Sequence, residues 1–407
     1  MAATSPPLRR PTPALARLAL VLAGIATPIL VVELVLRFLG PVFPGNYDTG
    51  AYLVRHEYYG HYHPASYQGW IRRDEYTVFV RTNAAGQRGP DLSLAKPPGT
   101  FRILLLGDSF VEAVQVRESE RFADQLAAVL NQTARTDRVE IIDGSCGGWG
   151  TAQELLYLQH EGWRYQPDLV LLVAYIGNDV ANNSLELELD GRLNVALKPY
   201  FRPGANGGLE LLEPRPPVPT LSESIGLSLR ERSSAYNLLE SGVLQKLSLD
   251  DHWAAWRDLD ALVEPRNRGM ELYLTDVNDR WREAWTITDR LVAQTAEQAE
   301  RVGSRFALVT IPTRIQVYPD AWRDAAGPDR GRSQGLDPLH PGRSFAKIAE
   351  SHALAHLDLL NAFREAATRR GAAPLYFERD EHWTAAGHAL AARRIAGFLD
   401  GQRLLNP

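Results

Sequence analysis

The run Arg102-Ile103-Leu104-Leu105-Leu106 ends abruptly at Gly107-Asp108-Ser109-Phe110. An unbroken apolar segment of this length, bounded by turn chemistry, has the pattern of a strand buried on both faces of a parallel sheet. Glycine permits a tight turn from strand to helix, and the amides that open a helix favour negative charge beside the serine hydroxyl. Ligands of open α/β sheets collect at the carboxyl ends of the strands, so Ser109 stands where a nucleophile is expected. Alone, Gly-Asp-Ser reads equally well as a helix-capping serine. The rest of the chain decides between the two.

The pattern recurs. Val139-Glu140-Ile141-Ile142 leads into Gly144-Ser145-Cys146-Gly147-Gly148-Trp149-Gly150, and Leu169-Val170-Leu171-Leu172-Val173 stops at Gly177-Asn178-Asp179. Two further strands are expected over 306–309 and 356–359. Between them the spacing predicts helices: one from near Ser119 burying Phe122, Leu126, Val129 and Leu130, one from Thr151, and others over 286–301 and 345–353. Thr151 and Glu154 have the spacing of a capping box. A closing helix from about Ala385, capped by Thr384, carries Ala391, Ile395, Phe398 and Leu399 on one stripe. Strands joined by helical crossovers specify a parallel sheet covered on both faces.

Residues 181–284 break the rhythm with an expected hairpin at 204–212, a proline-rich stretch at 214–219 and four tryptophans, Trp253, Trp256, Trp281 and Trp285. Amphipathic helices bury tryptophan, and sugars stack on it, so both roles stand open here. Ahead of the sheet, residues 40–100 form a lead-in segment, expected as a layer against the main sheet, with an alternating run at Tyr76-Thr77-Val78-Phe79-Val80. Its His61-x-His63 pair would share one strand face, but zinc wants three or four ligands and no third stands nearby in sequence.

The 407 residues, 45% hydrophobic, suffice for a substantial core, and a net charge of -5 excludes the basic balance of a nucleic-acid binder. Cys146 is the single cysteine, which excludes an internal disulfide. With no histidine adjacent in sequence it reads as a small buried residue rather than a rival nucleophile. Arg9, Arg10 and Arg17 precede about 20 apolar positions, the length of a membrane-crossing helix. The positive flank predicts residues 1–17 in the cytoplasm, a transmembrane anchor at 18–39 and the remainder outside, in a single-pass arrangement at the cell membrane. Glu33 and Arg37, four apart, are expected to pair near the far interface. A cleaved signal peptide, with Gly24 and Ala26 near the cut, is the alternative.

A serine needs a base, and the base needs a third group to hold its tautomer. Two histidines have an acid at suitable spacing: Asp380-Glu381-His382-Trp383, directly before the closing helix, and Asp337-Pro338-Leu339-His340, in a proline- and glycine-rich stretch before the last strand. The first follows the last strand and is clamped by a packed helix, which favours it.

These blocks, in this order, resemble the SGNH or GDSL hydrolases. Gly107-Asp108-Ser109-Phe110 is similar to the family's nucleophile block, Gly148 to its oxyanion glycine, Asn178 to its oxyanion asparagine and His382 to its terminal histidine. The resemblance spans about 101–180 and 286–400. It implies a three-layer α/β/α, flavodoxin-like parallel sheet in a domain over 101–403 with the 181–284 insertion after the third strand. It also implies serine ester chemistry without a metal or cofactor. The terminal block departs from the common form, in which acid and histidine are three apart and proline follows. Asp-x-His-Trp is similar to SGNH-like proteins that move acetyl groups onto extracytoplasmic polysaccharides. The expectation is therefore an outward-facing, membrane-anchored esterase with Ser109, His382 and Asp380 catalytic. Ser109, Gly148 and Asn178 form its oxyanion hole, and its substrate is an acyl ester, with O-acylated carbohydrate as the candidate. An O-acetyltransferase acting on a cell-envelope or secreted polysaccharide, and an inactive glycan-binding or scaffold protein, are the alternatives.

Overall fold

The computed structural model describes residues 13–39, 47–48, 52–133, 138–189, 198–204, 208–212, 225–226, 228–229, 233–239, 270–327 and 335–405. The proline-rich 214–219 stretch, Trp253, Trp256, Arg9 and Arg10 lie outside them.

Helix α1 (Pro13–Leu39) contains the apolar span Ala16–Phe38, with a mean hydropathy of 2.4, long and apolar enough to cross a membrane. Glu33 pairs with Arg37 at 2.6 Å, as the spacing predicts. It also accepts hydrogen bonds from Ser233 Oγ, Ser234 N and Ala235 N at 2.9, 3.1 and 2.8 Å. The lead-in supplies a small antiparallel sheet of β1 (Tyr47–Asp48), β4 (Gln68–Arg72) and β5 (Thr77–Arg81), and a hairpin of β2 (Val54–His56) and β3 (Gly60–Tyr62). Tyr59 and Tyr62 pack on Trp149 and Tyr157 and share a core with Leu104, Leu106 and Val170 of the main sheet.

The main sheet is built from β6 (Thr100–Gly107), β7 (Arg138–Ser145) and β8 (Leu169–Tyr175), then, after the hairpin β9 (Tyr200–Pro203) and β10 (Leu209–Leu212), from β11 (Arg305–Ile311) and β12 (Ala355–Asp358). All five strands are parallel, in the order β12-β11-β8-β6-β7. The helices include α2 (Ser109–Glu112), α3 (Phe122–Thr133), α4 (Thr151–His160), α5 (Asp179–Asn182), α6 (Ser234–Leu238), α7 (Asp279–Arg301), α8 (His340–Ser351), α9 (Leu360–Ala367) and α10 (Ala385–Gly401); of these, α6 packs on α1.

Strand side chains alternate between faces, and the two cores follow that alternation. Leu104, Leu106, Val170, Leu172 and Leu308 pack under α4, α7 and α8 through Leu155, Leu291 and Phe345. Ile103, Leu105, Leu171, Val173, Ala307 and Val309 pack under α3, α9 and α10 through Phe122, Phe363 and Ile395. This is the three-layer α/β/α arrangement. Trp281 and Trp285 belong to it: Trp281 is buried and donates to Glu271 at 2.8 Å, and Trp285 meets the edge of Phe345.

Strand β6 sits between β7 and β8, and Gly107 is in register with Ser145 on one side and Val173 on the other. The loops that continue β7 and β8 therefore leave the sheet on either side of Ser109. One helix start departs from expectation. Gln153, not Glu154, turns back to cap α4, its Oε1 accepting from Gly150 N at 3.1 Å, while Thr151 and Glu154 are fully buried. Thr151 is the first helical residue and Gly150 the N-cap, so the third position, which reaches back, falls on Gln153.

Candidate active site

Ser109 begins α2, a single turn that directly follows β6, while the longer helix expected from near Ser119 starts at Phe122. Asp108 caps the turn by accepting from Phe110 N at 2.9 Å. Ser109 is thus fixed between the most buried strand of the sheet and a capped helix start.

His382 Nε2 lies 2.7 Å from Ser109 Oγ, and His382 Nδ1 lies 2.7 Å from Asp380 Oδ1. An ionised carboxylate only accepts, so Nδ1 carries the proton and Nε2 presents its lone pair to the serine hydroxyl. Burial disfavours the imidazolium, but the hydrogen bond and charge of Asp380 outweigh it and hold His382 above the ordinary histidine value. Burial likewise works against the Asp380 carboxylate, and its bonds to His382 and Tyr76 overcome that and hold it below the usual range.

Two lead-in residues complete this arm. Tyr76 donates to Asp380 Oδ2 at 3.0 Å. The Glu75 carboxylate accepts from the backbone N–H of Glu378, Arg379 and Asp380 at 2.8, 2.9 and 2.7 Å. Behind His382, Trp383 is buried against Phe110 and Phe363, and Thr384 caps α10. Neither Glu75 nor Tyr76 carries a spacing signal; only the fold brings them here.

The loop after β7 runs beside the serine, since a Cβ built on Gly147 would lie 3.7 Å from Ser109 Cβ. Gly148 takes φ +77°, the left-handed region that glycine enters without penalty. Asn178 is the residue before α5; its side chain neighbours the Asp108 carboxyl, and its Oδ1 is buried with no partner among the described residues. Behind these elements lie three buried acids. Burial pushes Asp108 up to about 6, burial and Asp108 push Glu154 well up, and burial with Glu154 and Asp108 does the same to Asp179. Held toward their neutral forms, they oppose an anion forming nearby less than ionised carboxylates would.

His61 and His63 do not share a site. His61 Nε2 meets Gly147 O at 2.8 Å, while His63 sits between Gly86 O at 3.0 Å and Glu112 Oε1 at 2.6 Å. His63, Glu112 and Cys146 do bring three buried donor atoms within 4.8 Å of one another. The short His63–Glu112 contact is nevertheless a hydrogen bond, because two ligands about 2.0 Å from one tetrahedral zinc lie about 3.3 Å apart. Burial raises the Cys146 thiol far above its usual value, which suits a core residue and not a nucleophile.

The second acid–histidine block has a structural task. Asp337 Oδ1 accepts from Leu339 N at 2.8 Å, its other oxygen pairs with Arg343, and His340 is the first residue of α8. The stretch forms a helix entry.

Residues 272–406 match a family model described as the SGNH hydrolase-like domain of the acetyltransferase AlgX; the matched part includes Asp380 and His382 but not Ser109. No curated protein sequence matches the chain. Among solved structures, the acetyl xylan esterase AlAXEase is similar at 12% identity over 73% of this chain and 98% of its own, with a TM-score of 0.39. The acetylxylan esterase Axe2 from Geobacillus stearothermophilus is similar at 12% identity over 74% and 94%, with a TM-score of 0.39. A lipase/acylhydrolase from Enterococcus faecalis shares 14% identity over 74% and 96%, with a TM-score of 0.36.

Proposed function

We propose, from the match of residues 272–406 to an SGNH hydrolase-like domain and the geometry at Ser109, a membrane-anchored serine esterase that acts outside the cytoplasm on an acyl ester, with O-acetylated carbohydrate as the substrate class. The observation that carries this reading is the hydrogen-bonded series Tyr76–Asp380–His382–Ser109, with 2.7 Å on either side of the imidazole. Ser109 Oγ attacks the ester carbonyl as His382 Nε2 takes its proton. The oxyanion is met by the backbone N–H of Ser109 and Gly148 and by the Asn178 side-chain amide. Collapse breaks the ester C–O bond, His382 returns the proton to the departing alcohol, and Ser109 keeps the acyl group. Water, deprotonated by His382, then releases the acid and frees the serine.

A second reading is favoured by the family-model match, whose description is that of an acetyltransferase. There a sugar hydroxyl takes the place of water in the last step, and the chemistry up to the acyl-enzyme is unchanged.

The test uses the full chain in detergent with an aryl acetate and a panel of glycans, following free acetate and acetylated glycan together. We expect one fluorophosphonate adduct at Ser109, a burst of phenol, and loss of both in Ser109→Ala. Acetate released without glycan supports the hydrolase; acetyl groups appearing only on glycan make it a transferase. An unlabelled, folded parent overturns both.

A further inference from the structure

We propose that His61 is a positioning residue that fixes the orientation of the Gly147–Gly148 peptide, and through it the Gly148 N–H that faces the oxyanion. The inference rests on the oxyanion role given to Gly148 above and extends it to a residue 86 positions away in the lead-in.

The Gly147 carbonyl and the Gly148 N–H are two ends of one peptide unit. In a trans peptide they point in opposite directions, so fixing one aims the other. His61 Nε2 stands 2.8 Å from Gly147 O. A carbonyl cannot donate, so the proton is on Nε2 and the ring is a donor to the peptide's far side. His61 is also kept neutral, since burial lowers its pKa to about 4 against the opposing pull of the Gly147 bond. Near neutrality it therefore brings no full positive charge to the site. In-line hydrogen bonds polarise one another, so a bond accepted at Gly147 O strengthens the Gly148 N–H as a donor.

The peptide needs such a restraint. Both of its residues are glycines, and Gly148 sits at φ +77°, so side chains do little to oppose rotation of the plane between them. A larger residue is barred at 147, where a Cβ would lie 2.7 Å from Glu112 Oε2. Rotation of the plane would turn the carbonyl oxygen toward the developing anion and convert an attraction into a repulsion. His61 can donate only to the productive orientation. The latch is also held from its own side, because Trp149 Nε1 donates to His61 O at 3.1 Å and ties β3 to the same loop.

The test compares His61→Leu and His61→Gln with the parent in the full chain, using an aryl acetate and an aryl trifluoromethyl ketone that forms a tetrahedral adduct on serine. Leucine removes the donor, and we expect kcat to fall about 10-fold or more, KM to stay within about twofold and ketone binding to weaken in step with kcat. Glutamine, whose amide reaches the position of Nε2, should recover most of both. Equal losses in the two variants, or parent-like kcat and ketone affinity in a folded leucine variant, overturn the proposal. Should the leucine variant fail to fold, the glutamine variant decides: a folded protein with kcat reduced 10-fold refutes it, and near-parent turnover with parent-like ketone affinity supports it. Ser109→Ala separates the two levels, since a Ser109 variant that keeps full turnover sinks the esterase reading itself, whatever His61 does.

Discussion

At the scale of single residues, the proposed base, His382, would set the pH response. His382 is held above its ordinary value by Asp380 despite burial, and it works as a base only when neutral. Activity per encounter should therefore fall as pH drops, with a midpoint above 6.5 in kcat/KM. Asp380→Asn removes the charge that raises it, so the midpoint should move down while the rate falls by several orders of magnitude. A pH–rate profile of both proteins checks the sign, and a midpoint that stays put in the variant would detach Asp380 from the base. Ser109, His382 and Asp380 were legible in the sequence because each abuts an element boundary with its own signal: a strand that stops, or a cap that begins a helix. Glu75, Tyr76 and His61 were not, since they reach the site from 303, 304 and 86 positions away through bonds that no local spacing encodes. His61 stood out as half of a metal pair, and the structure gives its ring to a carbonyl.

Helices and strands with strong periodicity were read nearly in place, as with α10, where Ala391, Ile395 and Leu399 are fully buried and Thr384 Oγ1 accepts from Gly387 N at 3.4 Å. Two starts were misjudged for physical reasons. The turn α2 is too short to show a period, and the Thr151–Glu154 spacing sets the cap one residue late, because Gly150 and not Thr151 is the N-cap. The packing of α10 sets a further expectation. Alanine is a better helix former than glycine by about 1 kcal/mol, which alone favours Gly387→Ala. However, a Cβ there would overlap the Leu375 carbonyl and lie 3.0 Å from Trp383 Cβ, and overpacking of that kind costs about 1–3 kcal/mol. The steric term wins. We expect a net loss of stability in urea unfolding and a lower kcat, because Leu375 and Trp383 flank the loop that holds His382. An unchanged or raised midpoint would show that the loop gives way freely.

For the whole molecule, the alternation of strands and helices specified a parallel sheet with two covered faces, but not the strand order. That order depends on which crossovers return to which edge, and it is what puts β6 in the interior with a loop on either side of Ser109. Global stability carries its own pH signature. His388 is fully buried, with Nδ1 accepting from Phe122 N at 3.3 Å, and burial lowers its pKa to about 3. Between about pH 6.5 and 3 the unfolded chain binds a proton there that the folded chain does not. Its contribution is therefore fully present above pH 6.5 and lost as pH falls toward 3. His388→Asn, which keeps an acceptor but cannot be protonated, should flatten the fall in melting temperature across that window relative to the parent. Parallel curves would place the acid sensitivity elsewhere.

The 273 positions between Ser109 and its partner His382 also order events in time. A ribosome finishes the strand that presents the serine long before it makes the imidazole proposed to activate it. Throughout that interval the hydroxyl lacks the imidazole that the proposed mechanism requires. In that mechanism acyl transfer becomes available only once His382 and the α10 helix behind it have been synthesised and seated. Under the proposed mechanism, a chain cut short before His382 would present Ser109 without its base and could not acylate itself on esters it meets along the way.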